Sequence, residues 1–143
     1  MKSAWLTDLH LNFLTPQERL VFYQTIIDTM IDAVLISGDS AEAPSIHEIL
    51  LEMSHVIRKP IYFVLGNHDY YRGSVAGVRA NMTCLTQTSE FLHWLPASGV
   101  QKLSTDILLV GTDGFADGRY GDYENSPVSV SYTHLTLPTI YSV

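Results

Sequence analysis

The chain has one cysteine, Cys84, so no internal disulfide can form and a zinc site built on several thiolates is excluded. Charge is also sparse, at 16% of residues, and basic residues are the scarcer kind: 8 Lys and Arg stand against 15 Asp and Glu, giving a net charge of −7. The basic residues are scattered, whereas a broad footprint for nucleic acid or an anionic membrane needs clustered cations. No apolar run approaches the roughly 20 residues that span a bilayer. No basic segment followed by an apolar one opens the chain. No strand leads into a glycine-rich phosphate cradle of the required spacing, which excludes a P-loop or dinucleotide-binding protein. These absences lead to the expectation of a cytoplasmic protein with neither membrane nor nucleic acid as partner, in an oligomeric state the sequence does not fix. A length of 143 residues suffices for one domain with a real core.

What the chain does contain is organised around Gly66-Asn67-His68-Asp69. This turn follows residues 60–65, a short apolar run rich in β-branched and aromatic side chains and stopped by glycine, which reads as a buried strand. It presents an amide, an imidazole and a carboxylate in succession, groups that bind metal ions or transfer protons. Two earlier stretches repeat the arrangement. Residues 3–7 lead into Asp8-Leu9-His10, and residues 33–37 lead into Gly38-Asp39. The polar ends recur about every thirty residues, the length of one strand-helix-strand unit. Neighbouring parallel strands would therefore bring Asp8, His10, Asp39, Asn67 and His68 to one edge of a sheet, where open α/β sheets place their chemistry.

Helices are expected between these strands. Residues 15–32 begin with Thr15 at the N-cap and Pro16 at the first helical position, with Leu20, Tyr23, Ile27, Met30 and Ile31 near helical spacing. Ser45 and Glu48 form a capping-box pair ahead of Ile46, Ile49, Leu50, Met53, Val56 and Ile57. A third helix begins at Ser74 and carries Val78, Met82 and Leu85. This alternation favours an α/β fold with a parallel or mixed sheet. Beyond Ser89 the pattern changes to short extended pieces at 91–95, 100–103 and 106–110, and residues 111–122 are glycine-dense and read as a loop.

D-x-H alone is weakly specific, but D-x-H, G-D and G-N-H-D in this order, each directly after a strand, form a distinctive set. The set resembles the calcineurin-like metallophosphoesterase superfamily, whose pattern continues with G-H and G-H-x-H. The resemblance covers residues 1–121, and the last two motifs do not occur in the chain. It implies a calcineurin-like phosphoesterase sandwich, mixed β-sheets flanked by helices, of which residues 1–128 are a truncated N-terminal portion. It also implies a centre of two divalent metal ions, Mn, Fe or Zn, with Asp8 and His10 on the first ion, Asp39 bridging both and Asn67 on the second. His68 would protonate the leaving oxygen as general acid. Glu42, three residues beyond Asp39, would orient that histidine, or be a simple loop carboxylate ahead of Pro44.

The implied reaction is hydrolysis of a phosphoester of unknown class, with this chain impaired because the later histidines are missing. The alternative is a non-catalytic scaffold of the same fold, and a nuclease would be the same chemistry on another substrate. Asp69 could support its turn, Arg72 reads as an exposed arginine ahead of a helix, and Asp113 could face substrate or merely sit in a turn-rich loop with Asp117. His47, His55 and His93 read as surface or packing residues. Residues 129–143 have no amphipathic period, and 130–139 can be encoded by a sequence resembling a transposon-end sequencing adapter. They are read as a non-native tail, against the alternative of a C-terminal strand, and His134 within them is given no role.

Overall fold

The computed structural model describes residues 1–114. The expectations for Asp117, His134 and the adapter-like tail lie outside the described residues.

Four parallel strands form the main sheet: β1 (Ser3–Leu6), β2 (Ala33–Ser37), β3 (Ile61–Val64) and β4 (Leu92–Trp94), in the spatial order of the chain. The first three strands end at turns and β4 runs directly into a helix, and successive strands are parallel because a helix intervenes. The helices are α1 (Pro16–Asp28), α2 (Ile46–Ile57) and α3 (Val75–Thr88). A four-residue helix α4 (Leu95–Ser98) follows β4, and β5 (Gln101–Lys102) pairs antiparallel with β6 (Leu108–Leu109). The expected α/β fold is present, with antiparallel pairing, among the described residues, confined to this separate two-stranded sheet.

Register explains the core. Ala4, Val34, Ile61 and Leu92 align across the sheet, as do Leu6, Ile36, Phe63 and Trp94. The residues of these two rows on β2 to β4 are all buried. The intervening row is Trp5, Leu35, Tyr62 and His93, on the opposite face, and there Trp5 is 78% exposed. From α2, Ile46, Ile49, Leu50, Met53 and Ile57 are buried, and from α3 Val78, Met82 and Leu85. Arg19 of α1 grips Glu52 of α2 with two parallel hydrogen bonds of 2.8 and 2.9 Å, tying the two helices together.

Three local expectations are corrected. The first helix ends at Asp28, not Asp32, because Met30 takes a left-handed φ of 52°. That turn exposes Met30 and sends Ile31 into the core from outside the helix. Ser45 makes no capping box with Glu48. Its backbone is not extended (φ −124°, ψ −15°), and its hydroxyl donates to the Glu42 carbonyl instead. The capping box belongs to Thr15 and Glu18 at the start of α1. Finally, the extended piece after Ser89 is shorter than expected, since Leu95 and Pro96 open α4, where proline suits the first turn.

Candidate metal centre

Because the strands are parallel, the turns after β1, β2 and β3 lie on one rim, and hydrogen bonds zip them together. The amides of Asp8, His10 and Leu11 donate to the carbonyls of Gly38, Asp39 and Ser40 at 3.2, 3.0 and 2.8 Å. The pairing of β1 with β2 thus continues into irregular backbone. Asp8, His10 and Asp39 all take left-handed φ values, 51°, 44° and 54°. Non-glycine residues rarely adopt this region, and such conformations persist where surrounding structure imposes them, often at functional sites.

The turns approach so closely that side chains are not tolerated everywhere. A Cβ on Gly66 would overlap the Asp39 carboxylate, and one on Gly38 would lie 2.8 Å from the Gly66 amide nitrogen.

His10, Asp39 and His68 converge, with ligand-capable atoms all within 4.8 Å of one another. The two imidazoles meet edge-to-face at a centroid distance of 4.7 Å, and His68 also packs on Tyr71 at 4.4 Å. Asp39 is 9% exposed, and its Oδ1 accepts from the His68 amide at 2.9 Å. Two imidazole nitrogens and a carboxylate suit a borderline divalent cation such as Mn, Fe or Zn. The donor set and its spacing therefore fit one ion.

The other expected site residues are placed differently. Asp8 is exposed, and its carboxylate accepts from the Thr7 hydroxyl rather than joining the group. Asn67 uses its amide nitrogen to donate to the Tyr71 hydroxyl at 3.1 Å, which leaves the amide oxygen as its ligand-capable atom. Glu42 pairs with Arg72 at 3.2 Å, and no hydrogen bond joins it to His68 among the described residues. Arg72, with its side chain 76% exposed, is the solvent-facing arginine that its position ahead of α3 suggested.

Two carboxylates hold the rim together from beneath. Asp69 is fully buried and accepts from the amides of Asp39, Ala41 and Gly66 at 2.8, 3.0 and 2.8 Å. It supports its own turn and fastens it to the Asp39 turn. Asp113 lies in a loop, as one of its two readings had it, but it is buried, which corrects the other, a substrate-facing role. It accepts from the Leu65 amide, the Trp94 indole, the Tyr70 hydroxyl and Arg79. The turn support by Asp69 was expected from its place in the motif, whereas its bonds to the Asp39 turn and the role of Asp113 do not show in the sequence.

Burial pushes the Asp69 carboxyl up to about 7, helped by the negative charge of Asp39 and opposed by the three amide donors. The folded value lies above the ordinary 3.8, so this group's stabilising contribution is full below that value and is lost as pH rises through about 7. Urea midpoints of the metal-free protein, compared between wild type and Asp69→Asn, isolate the effect from other titrating groups. The wild type should lose stability relative to the variant from about pH 4 to about pH 7. A difference that is flat with pH would rule this out.

A family model described as calcineurin-like phosphoesterase matches residues 1–138. Among curated proteins, the UDP-2,3-diacylglucosamine hydrolase of Shewanella pealeana (strain ATCC 700345 / ANG-SQ1) is 29% identical over 99 residues, covering 61% of this chain and 41% of that protein. The chain therefore spans well under two thirds of the relative's length. Among the described residues, no helix is long and apolar enough to cross a membrane.

Proposed function

The chain belongs to the calcineurin-like phosphoesterase family, and from that premise we propose that it hydrolyses a phosphoester using divalent cations held at the ends of β1, β2 and β3. The observation that carries this reading is the convergence of His10, Asp39 and His68 within 4.8 Å on the rim. The relative's name, a hydrolase of UDP-2,3-diacylglucosamine, supports hydrolysis as the reaction class.

His10 and Asp39 would hold a first ion, with the exposed Asp8 carboxylate as a further donor on the same rim. The Asn67 amide oxygen, with Asp39, would serve a second. Bound cations would polarise the phosphoryl group and lower the pKa of water toward neutrality. In this reading His68 is not a ligand but stands beside the ions: packed against His10 and Tyr71 with its amide fixed by Asp39, it would supply the proton that the departing alkoxide needs.

The test is to strip the protein with a chelator, titrate it with Mn²⁺ by calorimetry, and assay an aryl phosphate. Saturable Mn²⁺ binding with hydrolysis that the chelator abolishes and Mn²⁺ restores is the expected result. Binding without turnover with Mn²⁺, Fe²⁺ or Zn²⁺ would favour a scaffold of the same fold. No binding at all would remove the reading.

A further inference from the structure

The loop that carries Asn67 and His68 is gripped at its ends by a residue whose hydrogen bonds, among the described residues, go to neither of them. Asp113 lies 48 residues beyond Leu65, yet its Oδ1 accepts from the Leu65 amide at 2.8 Å and the Trp94 indole at 3.0 Å. Its Oδ2 accepts from the Tyr70 hydroxyl at 3.0 Å and from Arg79 at 2.8 Å. Leu65 immediately precedes the loop and Tyr70 immediately follows it. One carboxylate therefore fixes both ends of residues 66–69, while Asp69 fastens the middle to the neighbouring turn.

The surroundings make this grip stiff. Asp113 is 3% exposed and Tyr70 1%, so water does not replace a lost bond. The Arg79 guanidinium lies 4.8 Å from the Trp94 ring centroid, which fixes the cation that balances the carboxylate. β3, β4, α3 and the segment after β6 all meet at this one side chain.

We propose that Asp113 is the positioning residue of the Asn67–His68 loop and sets how tightly the centre holds its cation. The proposal rests on the functional reading above only in taking that loop as metal-binding. Residues that orient ligands from behind typically govern metal affinity by about 10- to 100-fold.

Three variants of the full chain test it. Asp113→Asn keeps the shape but sets an amide against Arg79 and the Tyr70 hydroxyl. Tyr70→Phe removes one loop-end bond at nearly constant volume. Arg79→Met removes the ion pair and the Arg79 contact with Tyr70 but leaves the Leu65 and Tyr70 donors on Asp113 in place, so it serves as the reference for losing charge balance and stability without losing a loop-end bond to Asp113.

Mn²⁺ affinity by calorimetry should fall about tenfold or more in Asp113→Asn and by less in Tyr70→Phe, while Arg79→Met lowers the urea midpoint with affinity nearly unchanged. Amide hydrogen exchange of the metal-free chain supplies a second readout. Gly66, His68 and Tyr70 should exchange faster in the first two variants than their loss of global stability accounts for, and Arg79→Met should show no such excess. Unchanged affinity in Asp113→Asn, or exchange that tracks global stability in all three variants, overturns the proposal. If the wild type binds no Mn²⁺, the functional reading fails and the exchange data still decide whether Asp113 positions the loop. If Asp113→Asn does not fold, Tyr70→Phe against Arg79→Met decides it by the same comparison.

Discussion

In Asp39→Asn, Mn²⁺ affinity is expected to fall by at least about a hundredfold, the upper end of what is lost when a merely supporting residue is removed, while the metal-free protein stays at least as stable as wild type. The first half follows from charge. Asp39 is the one carboxylate in the group of three, and an amide offers a cation a dipole in place of a full negative charge. The second half follows from what surrounds it. The asparagine oxygen can still accept from the His68 amide, so the hydrogen bond of 2.9 Å survives. The negative charge of Asp39 disfavours ionisation of the buried Asp69, and removing it relieves that repulsion. Calorimetric titration with Mn²⁺ and urea unfolding in chelator measure the two halves separately. Metal affinity equal to wild type would remove Asp39 from the centre. Affinity lost together with a large fall in metal-free stability would make it a structural carboxylate first.

Gly66→Ala is expected to be a severely damaging single methyl group. The new Cβ would overlap the Asp39 carboxylate and lie 2.8 Å from both its Cγ and its amide nitrogen. Neither neighbour can move cheaply. The Asp39 amide is committed to Asp69, and its carboxylate to the His68 amide. The substitution should cost about 1–3 kcal/mol, the usual range for overpacking a tight site. It should also displace Asp39 and so weaken Mn²⁺ binding beyond the stability loss. Gly114→Ala is the matched control, since its Cβ would meet nothing within 4 Å among the described residues. If Gly66→Ala unfolds at the same urea concentration as that control, the close approach of the two turns is wrong.

Read as a sequence, the chain already carried the three strand ends, the order Asp8, His10, Asp39, Asn67, His68, and the helices between them. These features are local. A strand stopped by a turn residue and a helix begun by Thr15 or Ser74 are decided within a few positions, by backbone sterics, capping and hydrophobic period. The family pattern is legible for the same reason, because each motif sits within four consecutive residues.

What tertiary structure alone decided are the partnerships across long separations. The acid three residues after Asp39 suggested a partner for His68, but packing placed Arg72 against Glu42. Asp113 stood in a glycine-rich stretch that read as loop, yet it became a buried acceptor for four donors. The left-handed backbone at Asp8, His10 and Asp39 is likewise invisible in their identities. A buried carboxylate is stable only where enough donors converge to replace its water, and those donors come from elements 19 to 48 residues away. The sequence by itself therefore determined which chemical groups reach the rim, and only the folded chain decided how they are held there.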